Sequence, residues 1–406
     1  MKHTALTLFA AVLMGTVAIA QEWPQFRGPD GQGHSTERGV PLHWSATRNI
    51  VWKVPVPGRG WSSPIVASRR VWLTTATGGR EGALRLLAYD VESGREALNV
   101  EIFRIGSANL LNDKNSHASP TPVADADRVY VHFGDEGTAA VTMDGKVVWK
   151  TRLRHRTQHG NGASPVIYGD LLIVNCDGAD AAFVVALDKH SGKVRWKTWR
   201  RQPWSQAYTT PLVIRHGEQD QLVSVGASYA AAYEPQSGKE IWRVSYADGF
   251  SNVPRPVAGH GLVYIMTGFQ QPSLLAIRPS GTGDVTQSHV AWSLNRGVSL
   301  TPSPLLVGDE LYMVSDAGIV TCVDAKAGAI VWQHRLDGAF SASPVYADGR
   351  LYFQSEEGVT TVVVPGREFT VLSVNALDAP TLASMAVASG SMFLRTATHL
   401  YRIGGG

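Results

Sequence analysis

Polar and aromatic side chains precede several apolar runs of this chain, and their chemistry is that of binding. Trp61 and Tyr208 offer flat faces for a planar ligand or a sugar ring, whereas Arg255 and His117 offer positive charge for an anion. The alternative is that these side chains cap strands and bind water in a funnel. The candidate ligand-binding residues are Trp61, His117, His159, Asn161, Tyr208, Asn252, Arg255 and Thr301.

Motifs that mark the common enzyme classes do not occur in the sequence. It contains no His-Glu-x-x-His pair for zinc, no phosphate-binding glycine loop and no nucleophile elbow. His155 and His159 are four residues apart, a spacing that suits a metal ion on a helix. Because no helix is expected there, we interpret both as loop histidines. The sequence predicts no catalytic residue and no metal site.

The chain has two cysteines, Cys176 and Cys322. They fall in the third and sixth of the repeats described below, which are not neighbours. A disulfide needs α-carbons within about 7 Å. We therefore expect two unpaired, buried thiols that behave as small hydrophobic side chains.

The elements that must position these residues come from an internal repeat. Ala186–Trp196 reads ALDKHSGKVRW, and Ala232–Trp242 reads AYEPQSGKEIW. Ala88–Leu98 and Cys322–Trp332 follow the same pattern, with an acid, a glycine and an apolar ending. Repeat periods in the forties that combine strand-like runs with glycine turns are typical of β-propellers.

A second marker opens each repeat and sets the number of blades. Pairs such as Ser164-Pro165 and Ser303-Pro304 start a first strand, and a Gly or Asp turn leads to a second. Seven such openings, with an eighth copy at Met385–Leu394 that lacks the proline, predict an all-β, eight-bladed propeller with four-stranded antiparallel blades. The last repeat has three strands, so we expect the N-terminal strand near Trp52 to close it. The tryptophans predicted to dock one blade on the next are Trp52, Trp149, Trp196, Trp242, Trp292 and Trp332.

Composition and the N-terminus indicate an exported protein. Residues 1–20 are expected to be a cleaved signal peptide, 21–49 a loop-rich segment, and 50–406 the propeller. No membrane span is expected beyond the signal peptide. The chain has 37 basic and 34 acidic residues; without Lys2 the balance is 36 against 34, a net charge of +2. Such a balance argues against nucleic-acid binding, and we expect a periplasmic or extracellular monomer.

The acid-x-x-x-Gly-x-x-x-Trp ending resembles the tryptophan-docking repeat of quinoprotein alcohol dehydrogenase-like propellers. The openings at 22–31 and 58–64 look like those of exported PQQ-like repeat proteins with no assigned activity. The resemblance implies an eight-bladed ring, and in enzymatic members it implies pyrroloquinoline quinone (PQQ) with calcium on the axis. The superfamily also includes a noncatalytic scaffold of outer-membrane β-barrel assembly.

An enzyme of the quinoprotein type needs more than the repeat. Its best-known members hold the quinone against a disulfide between adjacent cysteines, and calcium demands several oxygen ligands. This chain has no adjacent cysteines. We therefore expect an exported binding or scaffold propeller without a cofactor, whose partner is an unknown small molecule or envelope protein. The alternative is a PQQ-dependent alcohol or sugar dehydrogenase with calcium.

Overall fold

A computed structural model of the protein describes residues 21–79, 82–106, 111–200, 206–247 and 249–404. It contains eight antiparallel sheets of at least four strands, which form the predicted eight-bladed β-propeller. The fold class expected from the repeat is therefore confirmed. The predicted signal peptide lies outside the described residues.

The strands follow one another in chain order within each blade. Blade 1 contains β2 (Ile65–Ala67), β3 (Arg70–Thr77), β4 (Ala83–Asp90) and β5 (Glu96–Arg104). Blade 2 contains β6 (Val123–Ala124), β7 (Arg128–His132), β8 (Thr138–Thr142) and β9 (Val147–Thr151). Blade 3 contains β10 (Val166–Tyr168), β11 (Leu171–Asp177), β12 (Ala182–Asp188) and β13 (Val194–Trp199). Blade 4 contains β14 (Leu212–His216), β15 (Gln219–Val225), β16 (Tyr229–Tyr233) and β17 (Glu240–Ser245).

The second half of the ring repeats this order. Blade 5 contains β18 (Val257–Gly259), β19 (Leu262–Thr267), β20 (Ser273–Ile277) and β22 (Val290–Leu294). Blade 6 contains β23 (Leu305–Val307), β24 (Glu310–Val314), β25 (Ile319–Asp324) and β26 (Ile330–Arg335). Blade 7 contains β27 (Val345–Ala347), β28 (Arg350–Gln354), β29 (Val359–Val363) and β30 (Val371–Ala376). Blade 8 contains β31 (Ala386–Ala388), β32 (Ser391–Arg395), β33 (His399–Gly404) and β1 (Ile50–Pro55).

The N-terminal strand closes the ring as predicted. β1 pairs antiparallel with β33, and Lys53 faces Tyr401 across the pair. Blade 8 is thereby completed from both ends of the propeller, and the edge of β33 is covered.

Burial along the strands explains why the middle strands are so apolar. Every residue of β11 is buried, because the two faces of the sheet pack on the blades to either side. The outermost strand β13 is mostly exposed, and its one buried residue is Trp196. The apolar content of a strand therefore depends on how far that strand lies from the axis of the ring.

One connection carries extra structure that the repeat does not predict. Between β20 and β22 of blade 5 the chain forms β21 (Gly283–Asp284), which pairs parallel with β17 of blade 4. The short helix α1 (Thr286–His289) follows it. This longer connection adds a fifth strand to blade 4 and links the two blades at their outer edges. A 3-10 turn at Gly134–Glu136 joins β7 to β8.

Most of the tryptophans at the ends of fourth strands donate to the neighbouring blade, whereas Trp242 donates to Gln221 of its own blade at 2.8 Å. Trp196 of blade 3 donates from Nε1 to the Pro235 carbonyl of blade 4, at 2.9 Å. A Cβ on Gly238, which has φ of +70°, would lie 2.4 Å from the Trp196 ring. The glycine of the repeat thus leaves space for the tryptophan of the preceding blade. Four further indoles reach the next blade, namely Trp52 to Val91, Trp149 to Lys189, Trp292 to Ala325 and Trp332 to Gly366.

Two other expectations bear on the interior and the membrane. Cys176 and Cys322 are buried and unpaired in blades 3 and 6, as predicted. In the part of the chain that the structure describes, the helices are too short and too polar to cross a bilayer.

Candidate binding sites at the two faces of the channel

A belt of hydrogen bonds fixes the residues that precede the first strands. In each case the N–H before the blade's opening proline donates to a Ser or Thr hydroxyl of the next blade. The bonds are Ser63 to Thr121, Thr121 to Ser164, Ser164 to Thr210, Arg255 to Ser303 and Ser303 to Ser343, at 2.9–3.0 Å. Ser343 continues the belt to Ser384. We call the face at which first strands begin the upper face, and the opposite one the lower face.

Part of the predicted site does come together at the upper face. The ring of His159 lies 6.4 Å from that of Tyr208 and 6.1 Å from that of Phe250, measured between centroids. The side-chain nitrogens of Asn161 and Trp61 are buried and have no hydrogen-bond partner among the described residues. The upper face therefore combines these aromatic rings with two unpaired N–H donors that lie just beneath its surface.

His117 contributes a hydrogen-bonding group rather than a charge. Burial lowers the pKa of its ring below the usual value, and the carboxylates of Glu136 and Asp135 only partly oppose this shift. The imidazole is therefore neutral at pH 7. Just before it, Lys114 pairs with Glu356 of blade 7 at 2.8 Å. The loop from 111 to 118 thus reaches across the upper face.

The Asn252 side chain is committed to the protein's own loops, and Thr301 is held through its backbone. The Asn252 amide donates to the Gly226 carbonyl at 2.8 Å and accepts from the Gly268 N–H at 2.8 Å. The Thr301 N–H donates to the Asp316 carboxylate at 3.2 Å. Asn252 has little capacity left for a ligand, because its amide nitrogen and oxygen are both engaged.

Arg255 does not join His159 and Tyr208, because its guanidinium turns to the N-terminal segment. It donates to the Phe26 carbonyl at 2.6 Å and to the Pro211 carbonyl at 3.1 Å. Burial lowers the pKa of Arg255 to about 10, so the group stays charged at pH 7. Arg255 is the one belt residue without a hydroxyl. This exception to the Ser/Thr-Pro pattern was visible in the sequence.

The N-terminal segment, which we define as residues 21–36, closes the lower face. It bonds to first strands or their ends around the ring. The Trp23 and Val66 backbones pair at 2.9 and 2.8 Å, the Ala124 N–H donates to Pro24 at 2.8 Å, and the Ser35 N–H donates to Tyr346 at 2.8 Å. Gln32 accepts from the Ala258 N–H at 2.6 Å. The sequence indicated a loop-rich segment here but not that it fills the channel.

Arg27 anchors the N-terminal segment from inside. Its guanidinium is buried and donates to the carbonyls of Gln32 and Pro304 at 2.6 and 2.7 Å. Burial, together with the nearby charge of Arg255, lowers the pKa of Arg27 to about 9. A cleft of about 520 Å³ remains between the segment and blades 3–5, and it is bordered by Asp30 and Arg255. The sequence predicted no site at this face.

Three exposed aromatic side chains lie on the upper face of neighbouring blades. Trp199 ends the fourth strand of blade 3 and is 60% exposed. Phe250 follows the fourth strand of blade 4 and is 38% exposed, and Phe269 follows the second strand of blade 5 and is 55% exposed. In antiparallel four-stranded blades, the second and fourth strands end where the first begins. We call these three residues the aromatic patch.

The residues present do not fit PQQ with calcium. The chain has no adjacent cysteines to stack on a quinone. Among the described residues, the group of three or more potential metal ligands is His132, His155 and Cys176, and none of these offers the oxygen donors that calcium prefers. The lower end of the axis is filled by the N-terminal segment. No reaction through a quinone follows from this arrangement.

Comparison with known proteins points to one family. The PQQ_2 family model, described as outer membrane protein assembly factor BamB, matches residues 44–206, 104–333 and 226–398. BamB of Burkholderia pseudomallei is 26% identical over 272 residues, which are 64% of this chain and 63% of that protein. The chain thus spans just under two thirds of that relative's length. BamB of Yersinia pestis is 22% identical over 360 residues, 82% of this chain and 84% of that one.

A solved structure agrees on the fold. The crystal structure of BamB from Moraxella catarrhalis superposes with a TM-score of 0.63 over 87% of this chain and 96% of that one. The two sequences are 13% identical, so this likeness concerns the architecture alone.

Proposed function

The chain belongs to the PQQ_2 family of outer membrane protein assembly factor BamB, and on this premise we propose that it is an exported, noncatalytic scaffold that binds a protein partner in outer-membrane assembly. The match spans residues 44–398, nearly the whole propeller. The predicted signal peptide at 1–20 supports export. Its cleavage, and a periplasmic location, are part of the proposal.

The observation that carries the proposal is the aromatic patch. Trp199, Phe250 and Phe269 are exposed on three consecutive blades and share one face of the ring. Protein interfaces are enriched in aromatic residues, which combine a large contact area with few rotatable bonds. A rigid ring that displays them in this way is suited to hold a partner protein without altering it.

Capture from an envelope extract tests this proposal. The tagged protein is compared with a variant that carries Trp199→Ala, Phe250→Ala and Phe269→Ala, and bound proteins are identified by mass spectrometry. We expect the unaltered protein to capture a component of outer-membrane assembly. The variant should capture about tenfold less of it, which corresponds to a loss of about 1.4 kcal/mol in binding free energy.

A matched control uses exposed apolar residues outside the patch. Val371 and Val374 lie on β30, the outermost strand of blade 7, and are 42% and 63% exposed. Val371→Ser with Val374→Ser should leave capture unchanged. Equal capture by the patch variant and this control would refute the assignment of the patch.

A second candidate function is small-molecule binding at the upper face. The unpaired, buried N–H donors of Asn161 and Trp61 and the rings of His159 and Tyr208 favour it, and a ligand would reach the donors after a small movement of the side chains above them. Thermal-shift screening with sugars and quinones would detect such a ligand. Its stabilising effect should be reduced in a variant carrying Asn161→Ala and Tyr208→Phe. A stabilising ligand that acts equally on this variant would place the site elsewhere.

A further inference from the structure

A buried group of soft donors lies between blades 2 and 3, beneath the upper-face ends of their strands. His132 ends β7 of blade 2, His155 lies in the loop after β9, and Cys176 lies on β11 of blade 3. Their donor atoms all lie within 4.8 Å of one another, and the three residues are buried. The imidazole rings of His132 and His155 are nearly parallel, with centroids 6.1 Å apart.

The hydrogen bonds of the two rings leave one nitrogen of each available. Nδ1 of His155 lies 2.7 Å from the Leu153 carbonyl, which can only accept, so this nitrogen carries the proton. Nδ1 of His132 lies 2.8 Å from the Thr138 hydroxyl. Both Nε2 atoms are buried and have no partner among the described residues. A ligating histidine is held in this way, with the second nitrogen fixed by the protein.

The two Nε2 atoms are the groups that a bound ion would engage, since each is buried beside the Cys176 sulfur. Two buried nitrogens that each lack a partner need a reason, because buried polar atoms are almost always paired.

We propose that His132, His155 and Cys176 form a binding site for a single copper(I) ion that joins blade 2 to blade 3. A thiolate and two imidazoles are soft donors, which select copper(I) over hard cations. On binding, the sulfur–hydrogen bond of Cys176 breaks, a sulfur–copper bond forms and one proton leaves to solvent. Copper(I) with one thiolate has no net charge, which suits a buried site.

Zinc fits this group less well. Structural zinc sites take four ligands, and the site offers three. The neighbouring carboxylate of Asp177 is paired with Arg200 at 2.9 Å, so it is not free to be the fourth. Metal–nitrogen and metal–sulfur bonds of about 2.0–2.3 Å place donors about 3.5–4 Å apart, so donors that lie within 4.8 Å need to approach by at most about 1 Å to close on an ion. The sequence alone predicted no metal site, because the three ligands come from three separate elements.

The experiment measures copper in the full chain and in matched cysteine variants. The protein is unfolded and refolded without oxygen in the presence of the copper(I)–acetonitrile complex, desalted and analysed by mass spectrometry of the metal. Cys176→Ala removes the proposed ligand, whereas Cys322→Ala removes the other buried cysteine, in blade 6. Far-UV circular dichroism of each variant verifies folding, and His155→Gln is a second ligand variant.

We expect about one copper per chain in the unaltered protein and in Cys322→Ala, and below about 0.1 in Cys176→Ala and His155→Gln. Copper(I) in excess should also raise the melting temperature of the first two by about 3–5 °C and leave that of the others unchanged. Less than about 0.1 copper in the unaltered protein would overturn the proposal. So would equal binding by Cys176→Ala, or stoichiometric zinc without copper.

Discussion

Trp196→Ala tests whether indole packing between blades holds the ring together. The ring is 8% exposed, rests on Gly238 of the next blade and donates to the Pro235 carbonyl. A buried tryptophan removes about 200 Å² from water, which at about 25 cal/mol per Å² is about 5 kcal/mol. The lost hydrogen bond adds about 1 kcal/mol, and relaxation of the site returns part of the total.

We therefore expect a loss of about 3–5 kcal/mol in the free energy of unfolding, and for a chain of this size a melting temperature lower by about 5 °C. Unfolding followed by far-UV circular dichroism measures both quantities without relying on the fluorescence of the removed residue. Trp196→Phe keeps most of the packing and loses the N–H, so it should cost about 1–2 kcal/mol.

The control for this experiment lies three residues further along the same strand. Trp199 is 60% exposed, and Trp199→Ala should change stability by less than about 1 kcal/mol. If Trp196→Ala and Trp199→Ala unfold at the same temperature, the docking interpretation is refuted for this blade. Equal melting of Trp196→Phe and Trp196→Ala would show instead that the hydrogen bond, not the packing, carries the effect.

Three further predictions concern the ends of the channel. Gly31→Ala should displace the N-terminal segment, because a Cβ there would lie 2.4 Å from the Arg255 guanidinium. Hydrogen exchange of residues 21–36 measures this displacement. The control is Gly39→Ala, because Gly39 has the same φ of +70° but no atom within 4 Å of its Cβ position. Lys114→Ala should speed exchange in the loop 111–118 and lower stability by less than about 1 kcal/mol, since the Lys114 side chain is 56% exposed; unchanged exchange would contradict the bridging role. Burial raises the pKa of Asp30, but hydrogen bonds from His34 and Gln32 outweigh this effect and hold the pKa below 3.8. The contribution of the Asp30 carboxylate to stability is therefore present above about pH 4 and is lost as the pH falls through the pKa of the folded state. Asp30→Asn should therefore loosen the segment at pH 7 and remove this acid dependence, measured by pepsin cleavage at low pH and by hydrogen exchange at neutral pH.

The repeat made the fold predictable because its residues have fixed structural roles. The glycine at 238 and the tryptophan at 196 occur in the sequence at the spacing at which they meet in space, one blade apart. The Ser/Thr-Pro openings mark first strands, and their hydroxyls also form the belt. The closing strand was predictable because the last repeat is one strand short.

The sites were less accessible to sequence reasoning. Arg255 was placed at the upper face on the basis of its position before a first strand, but its long side chain turns to the Phe26 carbonyl. Position in a repeat fixes a backbone and does not fix the direction of a flexible side chain. His132, His155 and Cys176 share no spacing motif, since they meet only when two blades pack together.

The closure of the ring over residues 21–36 has a consequence for how the molecule is assembled. Lys53 and its partner Tyr401 are 348 positions apart (401 − 53). Because closing so long a loop costs chain entropy, we expect this pairing to form late and slowly during folding. The N-terminal segment already contacts strands of blades 1, 2, 5 and 7 inside the circle that this pairing completes. In the folded ring the blades therefore surround the chain's own leading residues. A circular permutant that begins at blade 1 and carries residues 21–55 at its far end should consequently refold by a different order of events.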